Sequence, residues 1–246
     1  MIAGIIPARF ASTRFPGKPL AEINGKTMIQ RVYEQAVMSQ HLDEVVVATD
    51  DERIYSHVLS FGGRAVMTTA DHPSGTDRCY EALTQLGDGY EYVINIQGDE
   101  PFIVPAQIDE LAAVLKEGGV EIATQMIAVS DHDSLFDRGE VKIVINENME
   151  GMYFSRMVIP YIKGVAEKEW HLHHTYYRHV GMYAYRSDIL AQITKLPVSK
   201  LEKAESLEQL RWVENGYRIK CVPTTYESHC IDTPEDLERL QKNSNT

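Results

Sequence analysis

The feature that most constrains the fold is a strict alternation, over the first half of the chain, of short unbroken apolar runs with segments of helical period. Ile2 to Ile6 reads as a buried strand, as do Val45 to Ala48, Ala65 to Met67 and Val93 to Ile96. Between them, Met28, Ile29, Val32, Tyr33, Ala36 and Val37 recur at helical spacing, and Ile54, Val58 and Phe61 mark a helix closed by Gly62 and Gly63. A further helix is predicted from Pro105 to Lys116, ending at Gly118 and Gly119. Strands that are apolar at every position are buried on both faces, so the alternation predicts an α/β fold whose mostly parallel sheet is covered by helices on both sides.

The second half is less regular. Strands are predicted over Ile122 to Val129, Val141 to Ile145 and Arg218 to Val222, and a ribbon from Gly151 to Ser155 with Val180 to Tyr185. Lys163 to Tyr177, polar and His-rich, reads as loop, and Leu201 to Asn215 as one helix. Thr233 and Pro234 cap and open a last helix. With 246 residues, no repeat and no linker, the expectation is one domain over 1–246 with an inserted arm at about 150–185.

A net charge of -12 argues against nucleic acid or an anionic membrane as partner. No apolar run reaches the length of a membrane span, and the first residues lack the pattern of a secretory signal, so cytoplasmic residence is expected. Cys79, Cys221 and Cys230 have neither disulfide nor metal spacing and read as packing residues.

Against this acidic background one loop is basic. Residues 1–21 contain no Asp or Glu, although the chain holds 36. Arg9, Arg14 and Lys18 fall together after the first strand, with the hydroxyls of Ser12 and Thr13 and the small Gly17. Ligands of open parallel sheets bind beyond the carboxyl ends of the strands. Guanidinium forks and a lysine there suit a polyphosphate, the alternative being a merely solvated basic loop. A Walker loop is excluded, because Leu20 stands where its first glycine is required, and no Gly-x-Gly-x-x-Gly occurs.

After the fourth strand, Gln97-Gly98-Asp99-Glu100-Pro101 puts a carboxylate at a strand end, and Asp232 stands at another element junction. Two such aspartates suit a magnesium ion, the alternatives being a turn former for Asp99 and a residue preceding a helix cap for Asp232. His72 to Arg78 includes Ser74-Gly75-Thr76, a helix start able to read an anion or a base edge, or simply to cap its helix. His171, His173, His174 and His179 cluster without the carboxylate or cysteine spacing of a zinc site.

Taken together, Pro7-Ala8-Arg9 through Lys18, Ser74 to Arg78, Gln97 to Pro101, Tyr153-Phe154-Ser155-Arg156, Arg178 to Tyr183, Leu207 to Arg211 and Asp232 to Asp236 occur in an order that resembles the 3-deoxy-manno-octulosonate cytidylyltransferases, over nearly the whole chain. The resemblance implies a Rossmann-like nucleotide-diphospho-sugar transferase fold that dimerises through an arm. It implies transfer of CMP from CTP to an acidic eight-carbon sugar (Kdo) for lipopolysaccharide synthesis, with Mg2+ as cofactor and a homodimer as the assembly. It implies that Arg9, Arg14 and Lys18 hold the triphosphate and that Ala8 also belongs to the nucleotide-binding set. Ser74, Gly75, Thr76 and Gln97 would lie near the cytidine, Asp99 and Asp232 would ligate magnesium, and Arg156, His179, Tyr183, Glu208 and Gln209 would surround the sugar. Lys18, Arg9 and the two aspartates would then carry catalysis. An 8-amino analogue of Kdo, or another acidic sugar, is the near alternative. A metal-dependent glycosyltransferase would show Asp-x-Asp where this chain has Asp99-Glu100-Pro101. A non-catalytic nucleotide sensor would tolerate loss of the aspartates.

Overall fold

The computed structural model describes residues 1–11, 15–227, 230–231 and 233–243. In chain order the elements are β1 (Ile2–Ala8), β2 (Glu22–Ile23), β3 (Lys26–Thr27), α1 (Met28–Ala36), β4 (Glu44–Thr49), α2 (Glu52–Ser60), β5 (Ala65–Met67), α3 (Gly75–Leu86), β6 (Tyr92–Asn95) and α4 (Pro105–Lys116). They continue with β7 (Ile122–Ala128), α5 (His132–Phe136), β8 (Lys142–Ile145), β9 (Gly151–Ser155), α6 (Trp170–His173), β10 (Tyr177–Arg186), α7 (Ser187–Ile193), α8 (Lys200–Glu205), α9 (Gln209–Glu214), β11 (Ile219–Pro223) and α10 (Pro234–Asn243). The chain divides into two compact units, one of residues 1–112 with 227–246, the other of residues 113–226.

In the first unit, β6, β1, β4 and β5 lie side by side and all run parallel. Ile5, Ile6, Val46, Val47, Val93 and Ile94 have no accessible surface, the burial on both faces that their unbroken apolar runs predict. Side-chain caps start the helices: Thr27, Asp51 and Ser74 each accept a backbone N–H in the first turn of α1, α2 and α3.

In the second unit, β7 runs parallel to β11 and antiparallel to β10, which pairs antiparallel with β8. The predicted ribbon of Gly151 to Ser155 with Val180 to Tyr185 is corrected: β9 pairs with β8, and β8 with β10. The predicted helix from Leu201 to Asn215 is two helices. Ser206 adopts a left-handed conformation (φ 56°), and the Leu207 N–H closes on the Glu202 carbonyl, ending α8 before α9 begins. Nor is Lys163 to Tyr177 a plain polar loop. Trp170 and Tyr176 pack with Val129 and Leu135 into a small core of their own, because polar residues between them face outward. No helix of the described residues is long and apolar enough to cross a membrane.

Candidate active site

β1 delivers the basic loop. Its backbone stays in register with β4 through Ala8, and Gly17 marks the return of the loop: the Gly17 N–H donates to the Phe10 carbonyl at 3.0 Å, with φ at 73°. A side chain at Gly17 would meet the Phe10 ring at 3.1 Å in a backbone region that favours glycine. The turn places Lys18 so that its Nζ lies 2.8 Å from Oδ2 of Asp99. Asp99 follows β6 in a turn pressed against β1. A Cβ at Gly98 would stand 2.9 Å from the Pro7 carbonyl oxygen. The Ile231 N–H donates to the Asp99 carbonyl at 3.0 Å, and Cys230 Sγ reaches Oε1 of the buried Glu100 at 3.4 Å.

Beside this pair opens a cleft of about 180 Å³. Of the residues singled out in the sequence, Ala8, Arg9, Ser74, Gly75 and Gln97 line it. Ser74 is both lining and cap: its Oγ accepts from the Asp77 N–H at 3.3 Å and donates to Oδ2 of Asp77 at 2.6 Å. Thr76 is buried in the first turn of α3 and does not line the cleft. Arg14 and Asp232, with Ser12 and Thr13, lie outside the described residues.

Two lining residues had been noticed only as part of a motif. Arg78 is 4% exposed, with Nη1 donating to Thr68 Oγ1 at 2.5 Å and Nη2 lying 3.5 Å from Asp50 Oδ2. His72 is held by Thr69 and Glu81. A basic residue beside Ser-Gly-Thr was the available signal for the first. The second depends on a partner nine residues away along a helix and had none.

The residues assigned to the sugar all belong to the second unit. His179 and Tyr183 are four apart in β10, which in a regular strand would put them about 13 Å apart. The strand is irregular between Val180 and Tyr183, so that His179 pairs with Met126 and Tyr183 with Thr124, only two positions along β7. The rings consequently lie 5.1 Å apart. Thr124 Oγ1 stands 2.9 Å from His179 Nε2, and Phe154 meets the imidazole edge-on. Burial pushes the His179 pKa down to about 3, so the ring is neutral at physiological pH. Burial likewise raises the Tyr183 phenol well above its usual value and keeps it a donor. Arg156 donates from Nε to the Glu205 carbonyl at 3.0 Å and from Nη1 to the Arg138 carbonyl at 3.4 Å. Glu208 precedes α9, and Gln209 is buried in its first turn.

Sequence reasoning missed Lys142. Its side chain is fully buried, its Nζ donates to the carbonyls of Asp137 and Glu140, and burial pulls its pKa below the ordinary lysine value. The signal was a lone charge inside the apolar run of β8. The histidine cluster disperses: His174 packs edge-on against Tyr176, and His179 belongs to the aromatic group above. Among the described residues, no three His, Cys, Asp or Glu side chains converge as a metal site.

Residues 3–219 match the cytidylyltransferase family. The chain is 55% identical to a 3-deoxy-manno-octulosonate cytidylyltransferase of Cytophaga hutchinsonii, covering 99% of this chain and 97% of that one. It is 46% identical to an 8-amino-3,8-dideoxy-manno-octulosonate cytidylyltransferase of Shewanella amazonensis, covering 96% of each. A solved CMP:2-keto-3-deoxy-manno-octonic acid synthetase in complex with CTP superposes with a TM-score of 0.91 at 41% identity, over 99% of this chain and 98% of that one. A loop that brings its lysine to a strand-end carboxylate, a cleft lined by Arg9 and Gln97 and likeness at this level along the full length lead to one conclusion: the chain belongs to the cytidylyltransferase family.

Proposed function

We propose that this cytidylyltransferase joins CMP from CTP to 3-deoxy-D-manno-octulosonate, giving CMP-Kdo and pyrophosphate and so activating the sugar for lipopolysaccharide synthesis. The observation that carries the reading is the approach of Lys18 to Asp99 beside a cleft walled by Arg9, Ser74, Gly75 and Gln97. Full-length likeness to relatives of that name supports the choice of sugar.

The reaction is an in-line attack of the sugar's anomeric hydroxyl oxygen on the α-phosphorus. A bond from that oxygen to phosphorus forms as the hydroxyl gives up its proton to solvent, the bond from phosphorus to the bridging oxygen breaks, and pyrophosphate leaves with the electron pair. Such transfers depend on positioning and charge stabilisation more than on covalent participation by the protein. Arg9, Arg14 and Lys18 bind the triphosphate and neutralise charge that grows on the leaving oxygens. Ser74, Gly75 and Gln97 position the cytidine.

Asp99 and Asp232 would hold magnesium. Asp99 offers the hard carboxylate oxygen this ion prefers, partly exposed and balanced by a lysine that can turn to phosphate instead. Magnesium held by these residues would supply positive charge against the negative charge of the triphosphate.

Arg156 orients the sugar carboxylate with the part of its fork not engaged by the Glu205 and Arg138 carbonyls. The neutral His179, the Tyr183 hydroxyl, Glu208 and Gln209 bond sugar hydroxyls. A homodimer, working in the cytoplasm, belongs to the same proposal. Met152, Met157, Tyr161 and Leu172, each more than half exposed within 150–185, offer apolar surface to a second copy. Pyrophosphate release that depends on Kdo tests the activity, and sedimentation of the purified chain tests the dimer.

A further inference from the structure

His72 lines the cleft, yet the reaction outlined above gives it no role. Its Nε2 lies 3.0 Å from Thr69 Oγ1 and is hydrogen-bonded to Oε2 of Glu81. The same Glu81 oxygen also accepts from Thr69 N at 2.9 Å and Thr69 Oγ1 at 2.8 Å, while Gln85 Nε2 reaches Oε1 at 3.3 Å. Burial works to raise the Glu81 pKa, but these donors prevail and hold it below the ordinary carboxylate value. An ionised carboxylate only accepts, so the His72 nitrogen facing it must be the N–H. In the neutral imidazole, Nδ1 is then a pure acceptor, and the tautomer is fixed from behind.

Thr69 and Glu81, which hold the Nε2 side, do not line the cleft, and Nδ1 is taken as the nitrogen presented to it. Among the described residues, Nδ1 has no hydrogen-bond partner. The surrounding wall suits a flat ring. Pro7 and Pro73 present apolar surfaces, and Gly75 has no side chain in a place where a Cβ would already stand 3.3 Å from Pro7 Cγ.

We propose that His72 determines base specificity by accepting a hydrogen bond from the exocyclic amino group of cytosine, with Glu81 as the positioning residue that fixes its tautomer. Uracil carries a carbonyl oxygen at the corresponding ring position, so two acceptors would face each other and UTP is rejected. The inference rests on the CTP reading given above and adds the residue that enforces it.

The test measures binding of CTP and UTP by calorimetry, with magnesium present, for the wild type, His72→Ala, His72→Asn and Glu81→Gln. Pyrophosphate release with each nucleotide is measured alongside. Loss of one hydrogen bond predicts a drop of about tenfold in the CTP-over-UTP preference of His72→Ala. His72→Asn, which keeps a side-chain acceptor, recovers part of the preference. Glu81→Gln, whose amide no longer dictates the tautomer, loses part of it. A purely structural role would weaken both nucleotides equally and leave the ratio alone. An unchanged ratio in a folded His72→Ala, or no preference in the wild type, overturns the assignment. If the wild type prefers CTP but releases no pyrophosphate with any sugar, the transferase reading fails, while the role of His72 is still decided by the binding ratio.

Discussion

Lys18 Nζ lies 2.8 Å from Asp99 Oδ2, across 81 residues of sequence, with the two side chains 14% and 26% exposed. The pair couples the loop after β1 to the turn after β6. Removing the lysine takes away a positioned donor for phosphate charge, so Lys18→Ala should cost about 100- to 1,000-fold in kcat. Asp99→Asn should cost at least as much and weaken the response to magnesium. Steady-state pyrophosphate release checks both, and near-normal turnover in either variant removes that residue from the chemistry.

Gly98 holds the same turn against β1. An added Cβ would stand 2.9 Å from a backbone oxygen, which cannot rotate away. Gly98→Ala should therefore lower stability by about 1–3 kcal/mol and reduce turnover, because Asp99 moves with it. Thermal unfolding with kinetics on the same preparation measures the two effects, and an unchanged Tm contradicts the packing.

Arg156 tests the sugar side separately. Arg156→Ala should raise KM for the sugar acid by about tenfold or more while leaving KM for CTP near its original value, as loss of a charge-assisted hydrogen bond implies. Equal rises for both substrates would point to a general disturbance of the Glu205 and Arg138 contacts instead.

His179 makes stability depend on pH. The folded ring stays neutral down to about pH 3, whereas an unfolded histidine takes a proton near about pH 6.5. Above the higher value both states are neutral and the contribution is complete. As the pH falls between the two, the unfolded chain binds the additional proton and stability drops, by at most about 1.4 kcal/mol per pH unit. Chemical denaturation from pH 7 to pH 4 should show a shallower acid limb for His179→Phe than for the wild type.

Ser206 separates α8 from α9 in a left-handed conformation. Ser206→Val should be less stable than Ser206→Gly by about 1–2 kcal/mol, since a branched Cβ is strained there and glycine is not. Urea midpoints of the two variants measure the difference.

These residues also mark what the sequence made legible. The parallel strands and the helix start at Ser74 follow from patterns a few residues long, and the structure forms them from those patterns. The meeting of Lys18 with Asp99 was not read from the sequence, which placed each after a strand of the parallel sheet without bringing them into contact. The break at Ser206 was not legible, because apolar period continues across it and says nothing about one φ angle. The contact of His179 with Tyr183 was legible as a shared face, but it is the irregularity in β10 that brings the rings together. The bond of His72 to Glu81 was missed because it is set by packing rather than by local pattern, and the burial of Lys142 was missed although a lone charge in an apolar run marked it. Arg14 and Asp232, expected from the same reading, lie outside the described residues.

The most direct measurement is pyrophosphate release from CTP and magnesium with Kdo, run beside its 8-amino analogue, sialic acid and no sugar. The account predicts release with Kdo well above the other three. Preference for the amino sugar would contradict the assigned substrate while keeping the cytidylyltransferase chemistry, and binding of CTP without release in any of the four reactions would contradict the transferase reading itself.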